Sequence, residues 1–323
     1  MHDRPDIRKQ LKSSILLLDG AMGTMLQSSG LDEKDFRGEQ FRDHMSPLKG
    51  NFDILSLTRP ELITQLHHAY LEAGADIITT NTFNATSVMQ SGFDTGNMAY
   101  EINLAAAKLA RAAAEYYTGL NPGQPRFVAG SMGPTNRTSS LFSDREPSGS
   151  QFISFPELYD AYREQARGLV DGGADILLLE TITDISNARV ALYAINDVFI
   201  EKDFGLPIMI SFTVTGKDGH IIAGYPLNIL LQILSDPHIF CIGLNCGSGI
   251  DHLIPYINDL ASLSTYYTCF FPSAGIPDHK GRYAGTPKIM ASKMKELFDL
   301  GLVNIIGGCC GTGPEHIKMF SYL

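Results

Sequence analysis

Gly74-Ala75-Asp76-Ile77-Ile78 is the stretch on which the fold turns, because it comes back as Gly173-Ala174-Asp175-Ile176-Leu177 and Gly301-Leu302-Val303-Asn304-Ile305-Ile306. In each, a glycine ends a segment of helical period and an apolar run follows almost at once. Glycine is the residue that closes a helix in left-handed geometry without steric cost. A helix that stops and a strand that starts three residues later is the αβ half of a βαβ unit. Working outward, eight apolar runs recur, at 15–18, 76–82, 126–131, 175–181, 207–214, 241–246, 266–271 and 304–308. They are near-continuous rather than alternating, the pattern of parallel strands covered on both faces.

The gaps between the runs read as helices. Thr58-Arg59-Pro60-Glu61 and Ser154-Phe155-Pro156-Glu157 have capping-box spacing, in which hydroxyl and carboxylate satisfy the orphan N–H groups of a first turn. Apolar faces of helical period follow both, and 99–117, 185–202, 227–234, 250–260 and 287–299 fill most other gaps. Eight strand–helix units in 323 residues predict one (β/α)8 barrel over residues 1–323, with 1–13 as a polar N-terminal extension. Two connections, 31–57 and 133–155, are long for a compact domain and follow strands, so both should project from the catalytic face.

Composition narrows the function. Lys+Arg 25 against Asp+Glu 35 gives a net charge of −10, which removes the electrostatic drive toward nucleic acid or anionic lipid. A 44% hydrophobic content excludes a disordered chain. No segment approaches the roughly 20 apolar residues of a membrane span, and Ile15-Leu16-Leu17-Leu18 is too short for a signal core, so a cytoplasmic protein is expected. The five cysteines, all in the last third, then point to buried thiols, metal or catalysis rather than disulfides.

In a barrel the chemistry sits just past the strands. There the chain places Asp19-Gly20-Ala21-Met22-Gly23, Asn81, Asn136, Glu180, Asn245-Cys246-Gly247, Ser273 and Gly307-Gly308-Cys309-Cys310-Gly311. Cys246, Cys309 and Cys310 together offer three sulfurs and an open position, the donor set of a catalytic zinc. Adjacent cysteines on a strand point to opposite faces, so Cys309 and Cys310 can share an ion only if the flanking glycines bend the backbone out of β geometry. Cys241 and Cys269 lie within strands and read as small buried hydrophobes. Asp19 and Glu180 each end an apolar run, and a buried carboxylate needs a cation or several donors. A substrate ammonium would serve both; a helix cap or a salt bridge to a barrel arginine is the alternative. The amides of Gly20–Gly23 are candidates for a carboxylate, and Asn81, Asn136, Asn245 and Ser273 for contact with substrate or partner.

Leu18-Asp19-Gly20-Ala21-Met22-Gly23-Thr24, Thr80-Asn81-Thr82-Phe83-Asn84, Gly133-Pro134-Thr135-Asn136-Arg137-Thr138, Gly243-Leu244-Asn245-Cys246 and Gly307-Gly308-Cys309-Cys310-Gly311-Thr312 occur in order. Across essentially the whole chain they resemble the homocysteine-binding domain of cobalamin-dependent methionine synthase, within the zinc-dependent homocysteine S-methyltransferase family. The resemblance implies a (β/α)8 barrel with Cys246, Cys309 and Cys310 as Zn2+ ligands. It also implies Asp19 and Glu180 as receptors of the L-homocysteine amino group, and the Gly20–Gly23 backbone as receptor of its carboxylate. It further implies methylcobalamin as methyl donor, carried with folate-binding and cobalamin-binding domains or subunits elsewhere, so that the chain supplies the acceptor half-reaction. Three positions depart from the family pattern: Ser273 stands where Asn is common, Thr79 where Glu is common, and the stretch Ala223-Gly224-Tyr225 lacks a Gln. The first leaves the fourth ligand of the substrate-free metal unassigned. Two rival readings are a methyltransferase using betaine or S-methylmethionine, and a non-catalytic zinc-bearing scaffold or amino-acid binding module.

Overall fold

A computed structural model describes residues 5–139, 152–214 and 227–323. Eight strands form one sheet: β1 (Leu16–Leu17), β2 (Ile77–Thr79), β3 (Phe127–Met132), β4 (Ile176–Ile182), β5 (Ile208–Phe212), β6 (Ile239–Cys246), β7 (Tyr267–Pro272) and β8 (Ile305–Ile306). Every pairing within it is parallel. The order runs β1-β8-β7-β6-β5-β4-β3-β2, and a parallel bridge between Leu18 and Ile77 joins the two ends. The ring is a (β/α)8 barrel, as expected. Helices Pro60–Glu72, Ala99–Leu120, Phe155–Gly172, Ile185–Lys202, Leu227–Ile233, Ile250–Leu263, Pro287–Asp299 and Pro314–Phe320 surround it.

The repeated junction acts as a register lock. Gly74, Gly173 and Gly301 all have positive φ, at 107°, 99° and 66°. The acidic or amide residue that follows pairs twice with the neighbouring strand. Asp76, Asp175 and Asn304 donate their own N–H to the carbonyls of Leu17, Val128 and Thr268. Their side chains accept from the N–H of the same residues, at 2.9, 2.8 and 2.8 Å. One side chain thus satisfies the backbone donor of the second residue of the adjacent strand, and a slip in register would orphan it.

Two shells of core result. Leu16, Leu18, Ile77, Phe127, Ile176, Leu178, Met209, Cys241, Cys269, Phe271 and Ile305 fill the barrel, and Cys241 and Cys269 are fully buried there as expected. The outward strand residues pack against the helices in a second, larger cluster. Residues 5–13 are more than a polar extension. Ile7–Leu11 form a helix capped by Asp6, and Ile7 and Leu11 join the barrel-filling cluster. Two apolar residues four apart in a polar stretch are too weak a signal to declare a helix, yet they suffice to plug the barrel's lower end.

Other expectations need correction. β1 and β8 are shorter than the runs 15–18 and 304–308, because the chain leaves the sheet early to build the mouth: Gly308 N–H bonds Asp19 O at 3.1 Å and Cys309 N–H bonds Pro272 O at 3.0 Å. Ser154 and Glu157 do form a capping box. Thr58 and Glu61 do not: Thr58 ends a preceding short helix, and Arg59 caps Pro60–Glu72 while binding Glu61 through its guanidinium. The connection 31–57 carries its own core of Phe36, Phe41, Leu48, Ile54 and Leu55, and it brings Phe52 and Asp53 to the mouth. Most of 133–155 and the stretch Ala223-Gly224-Tyr225 lie outside the described residues.

Candidate metal and substrate site

Past the C-terminal ends of the strands lies a cavity of roughly 320 Å³, whose walls include Asp19–Thr24, Asp53, Thr79–Asn84, Ser131, Glu180, Thr181, Cys246, Tyr283, Cys309 and Cys310. The three cysteines meet on its rim. Cys246 Sγ lies 3.9 Å from Cys310 Sγ, Cys309 Sγ lies 4.0 Å from Cys310 Sγ, and all three atoms fall within 4.8 Å of one another. Ligands ~2.3 Å from a tetrahedral zinc sit ~3.8 Å apart, so the trio has the spacing of one face of such a site. The backbone makes this possible. Cys246 has φ 60° and Gly247 φ 69°, and Gly311 just after the pair has φ 81°. Two successive left-handed residues swing Cys246 off β6 toward the pair.

The three strand ends are stitched together around the sulfurs. Ser273 N–H bonds Cys246 O at 3.0 Å, and Ala274 N–H bonds Cys310 O at 2.8 Å. Thr312 N–H and Oγ1 both bond Cys309 O. The trio also shares charge: hydrogen bonds from the Cys246 and Cys309 thiols pull Cys310 far down in pKa, while Cys309 is pushed well up by the same neighbours and by burial.

Across the cavity stand two carboxyl groups with no cationic partner among the described residues. Asp19 Oδ2 accepts from Thr79 N–H at 2.8 Å, and both its oxygens accept from Thr79 Oγ1 at 3.1 Å. Burial raises its pKa well above the ordinary value, Thr79 opposes this, and the charge of Glu180 adds to the rise. Glu180 accepts from Ser131 Oγ. Burial lifts it to about 7 against the Ser131 bond, with Cys310 adding a smaller upward push. Among the described residues neither carboxylate has a salt-bridge partner. Arg126 and Arg111 are engaged at the opposite end of the barrel by Asp76 and Asp175, at 3.0 and 2.6 Å. Two carboxyl groups raised in pKa in one cavity, Asp19 buried and Glu180 half-buried, would be ionised together most readily beside a cation.

The Ala21 amide is taken by Thr312 Oγ1 at 3.3 Å, whereas Met22 and Gly23 open the first turn of helix Met22–Ser28, where N–H groups have no intrahelical acceptor. A side chain on Gly20 would meet Thr312 Oγ1 at 2.9 Å and Tyr70 at 3.0 Å, so any larger residue would have to displace them.

Residues 16–322 match the family model described as homocysteine S-methyltransferase. The chain belongs to that family. Among solved structures, this member of the homocysteine S-methyltransferase family is similar to the homocysteine methyltransferase MmuM from Escherichia coli in its oxidized form. The identity is 24%, the TM-score 0.74, and 99% of each chain is covered. For the metallated form of MmuM the identity is 24% and the TM-score 0.72, over 98% of this chain and 99% of that one. The likeness reaches octameric ribulose-1,5-bisphosphate carboxylase/oxygenase from Pyrococcus horikoshii OT3 at 13% identity and TM-score 0.51, covering 98% of this chain and 60% of that one, as a barrel only.

Of the other sequence candidates in this homocysteine S-methyltransferase family member, Asn81 lines the cavity, held by Phe52 O at 2.7 Å. Asn136, Asn245 and Ser273 are not among the lining residues. Asn136 is exposed, its N–H against Met89 Sδ at 3.3 Å. Ser273 braces the loop after Cys246 instead, donating to Gly247 O at 2.6 Å. Asn245 is fully buried behind the cysteines. Sequence reasoning missed Asp53, Thr79, Ser131, Thr181 and Tyr283. Thr79, the departure from the family pattern, binds the Asp19 carboxylate through both its N–H and its Oγ1–H. Asp53 is a third buried carboxyl on the wall, raised to about 6 by burial against a bond from Asn84 N–H. Tyr283 packs its ring where a Gly311 side chain would stand. None carries a local motif; only the length of the segment 31–57 hinted that residues there would reach the mouth.

Proposed function

We propose that the protein transfers a methyl group to the thiol of L-homocysteine, giving methionine, with a Zn2+ ion held by Cys246, Cys309 and Cys310. One observation carries this reading: three sulfurs at tetrahedral spacing share a cavity with two carboxylates that have no cation. A free alkyl thiol is only a few per cent thiolate at neutral pH. The bound metal would supply Lewis acidity, holding the substrate sulfur as a thiolate at neutral pH without a side-chain base. The chain's own residues then do the positioning. Asp19 and Glu180 receive the ammonium, the Met22 and Gly23 amides of the Gly20–Gly23 turn receive the carboxylate, and together they fix the sulfur toward the rim. The thiolate takes the methyl group, and the electrons of the broken bond leave with the donor.

For the donor we favour methylcobalamin brought by a cobalamin-binding domain or subunit, beside a folate-binding one. The support is the run Pro134-Thr135-Asn136-Arg137 and the segments Phe36-Arg37-Gly38-Glu39 and Leu48-Lys49-Gly50-Asn51, which resemble the cobalamin-dependent branch. A reducing cytoplasm, which keeps the three sulfurs as ligands, is the fitting compartment; among the described residues no helix is long and apolar enough to cross a membrane. The experiment is turnover of zinc-loaded protein with L-homocysteine and, separately, methylcobalamin, betaine or S-methylmethionine, scored as methionine. Product with methylcobalamin alone supports the reading. Product only with a small donor replaces the donor, and no product with any donor at full zinc occupancy removes the catalytic reading.

A further inference from the structure

We infer that Asn245 is a positioning residue that sets the substrate's amino-group receptor and the metal cradle with a single side chain. The inference rests on the reading of Glu180 given above, but its geometry stands independently. β4 pairs with β5 as Leu179 with Ile210 and then Ile182 with Phe212, so Glu180 and Thr181 on β4 oppose Ser211 alone on β5. This is a bulge, a device that re-aims side chains next to active sites. Leu177 and Leu179 face the outer helices, and the extra residue lets Ile182 rejoin that face while Glu180 and Thr181 both reach the cavity.

The bulge requires a conformation that Thr181 resists. Its φ is 57°, and a β-branched residue at positive φ is a genuine outlier that persists only when its surroundings over-determine it. Asn245, fully buried on β6, does this. Its Oδ1 accepts from Thr181 N–H at 3.0 Å and its Nδ2 donates to Thr181 Oγ1 at 2.7 Å. Ser211 Oγ, opposite the bulge, donates to the same Oδ1 at 2.6 Å. Because a backbone N–H can only donate, Oδ1 must face Thr181 N, and the amide group has no freedom to flip. Nδ2 is thereby aimed at Cys309 Sγ, 3.8 Å away, where an N–H donor orients and stabilises a thiolate ligand. The side chain that holds Glu180 on station is the one that addresses the Cys309 sulfur.

The two contacts can be separated by mutation. Asn245→Ala, Thr181→Gly, the double variant and Glu180→Gln would be compared with wild type. The readouts are the L-homocysteine dissociation constant by calorimetry, zinc release to a chromogenic chelator, and thermal unfolding of metal-free protein. Asn245→Ala should weaken homocysteine about tenfold or more and release zinc faster. Metal-free Thr181→Gly should melt no lower than wild type, since glycine holds positive φ unaided. The double variant should regain homocysteine affinity and metal-free melting temperature while still losing zinc quickly. A purely structural asparagine would show no such split. Should Asn245→Ala not fold, Asn245→Asp keeps acceptors for Thr181 N–H and Oγ1–H but loses the donor to sulfur, and should keep homocysteine affinity while shedding zinc. Wild-type affinity and zinc release in a folded Asn245→Ala protein, or no recovery of melting temperature in the double variant, overturns the inference. If Glu180→Gln alone leaves homocysteine binding unchanged, the role of Glu180 falls, and the metal-free melting series still decides the clamp.

Discussion

Glu180→Gln should make the metal-free protein more stable at alkaline pH while crippling its affinity for homocysteine. Glu180 titrates near 7 in the fold against an ordinary 4.5, because burial outweighs the Ser131 bond. The sign follows from linkage. A carboxyl with a raised folded pKa is protonated in both states at low pH, so its contribution is fully present below about 4.5 and is lost as pH rises through 7. The rise from 4.5 to about 7, at ~1.4 kcal/mol for each pH unit, amounts to about 3.5 kcal/mol withheld at pH 8.5. Since the side chain faces a cavity that water can enter, that figure is a ceiling. At ~2 cal/mol/K of unfolding entropy per residue, each kcal/mol moves the melting temperature of a chain this size by ~1.5 °C. Glu180→Gln should therefore melt ~4 °C above wild type at pH 8.5 and close to it at pH 4.5, by calorimetry of metal-free samples. Gln can still accept from Ser131 but cannot neutralise an ammonium, so homocysteine binding should fall ~10–100-fold, as when a charged hydrogen bond is lost. A variant that melts at or below wild type at pH 8.5 and binds homocysteine equally well would refute both halves.

Cys310→Ala should lose stoichiometric zinc after dialysis under reducing conditions, read by metal analysis, with unchanged far-UV circular dichroism; a full complement of zinc would remove Cys310 from the ligand set. Ile7→Ala opens a void beneath the barrel-filling cluster, where Ile7 is 2% exposed, and should cost about 2–4 kcal/mol. That is a fall of several degrees in melting temperature, and an unchanged melt would mean that helix Ile7–Leu11 does not plug the barrel.

What the sequence determined by itself is everything written in local periods and spacings. The eight apolar runs and the repeated Gly-x-Asp junction specified a parallel barrel, because a left-handed glycine, a register-locking acid and a continuous strand are adjacent in the chain. The cysteines were legible for a similar reason: the glycines that bend the backbone stand beside the sulfurs they gather. The tertiary structure decided which groups complete the site. Thr79 meets Asp19 sixty residues away, Asn245 meets Thr181 across sixty-four, and Ser131 meets Glu180 across forty-nine. An Asn after an apolar strand reads equally as a substrate contact or a buried brace, and only the β4 bulge, invisible to periodicity, tells them apart. Hydrogen bonds between distant strands are set by barrel closure and register, and no window of sequence carries that information.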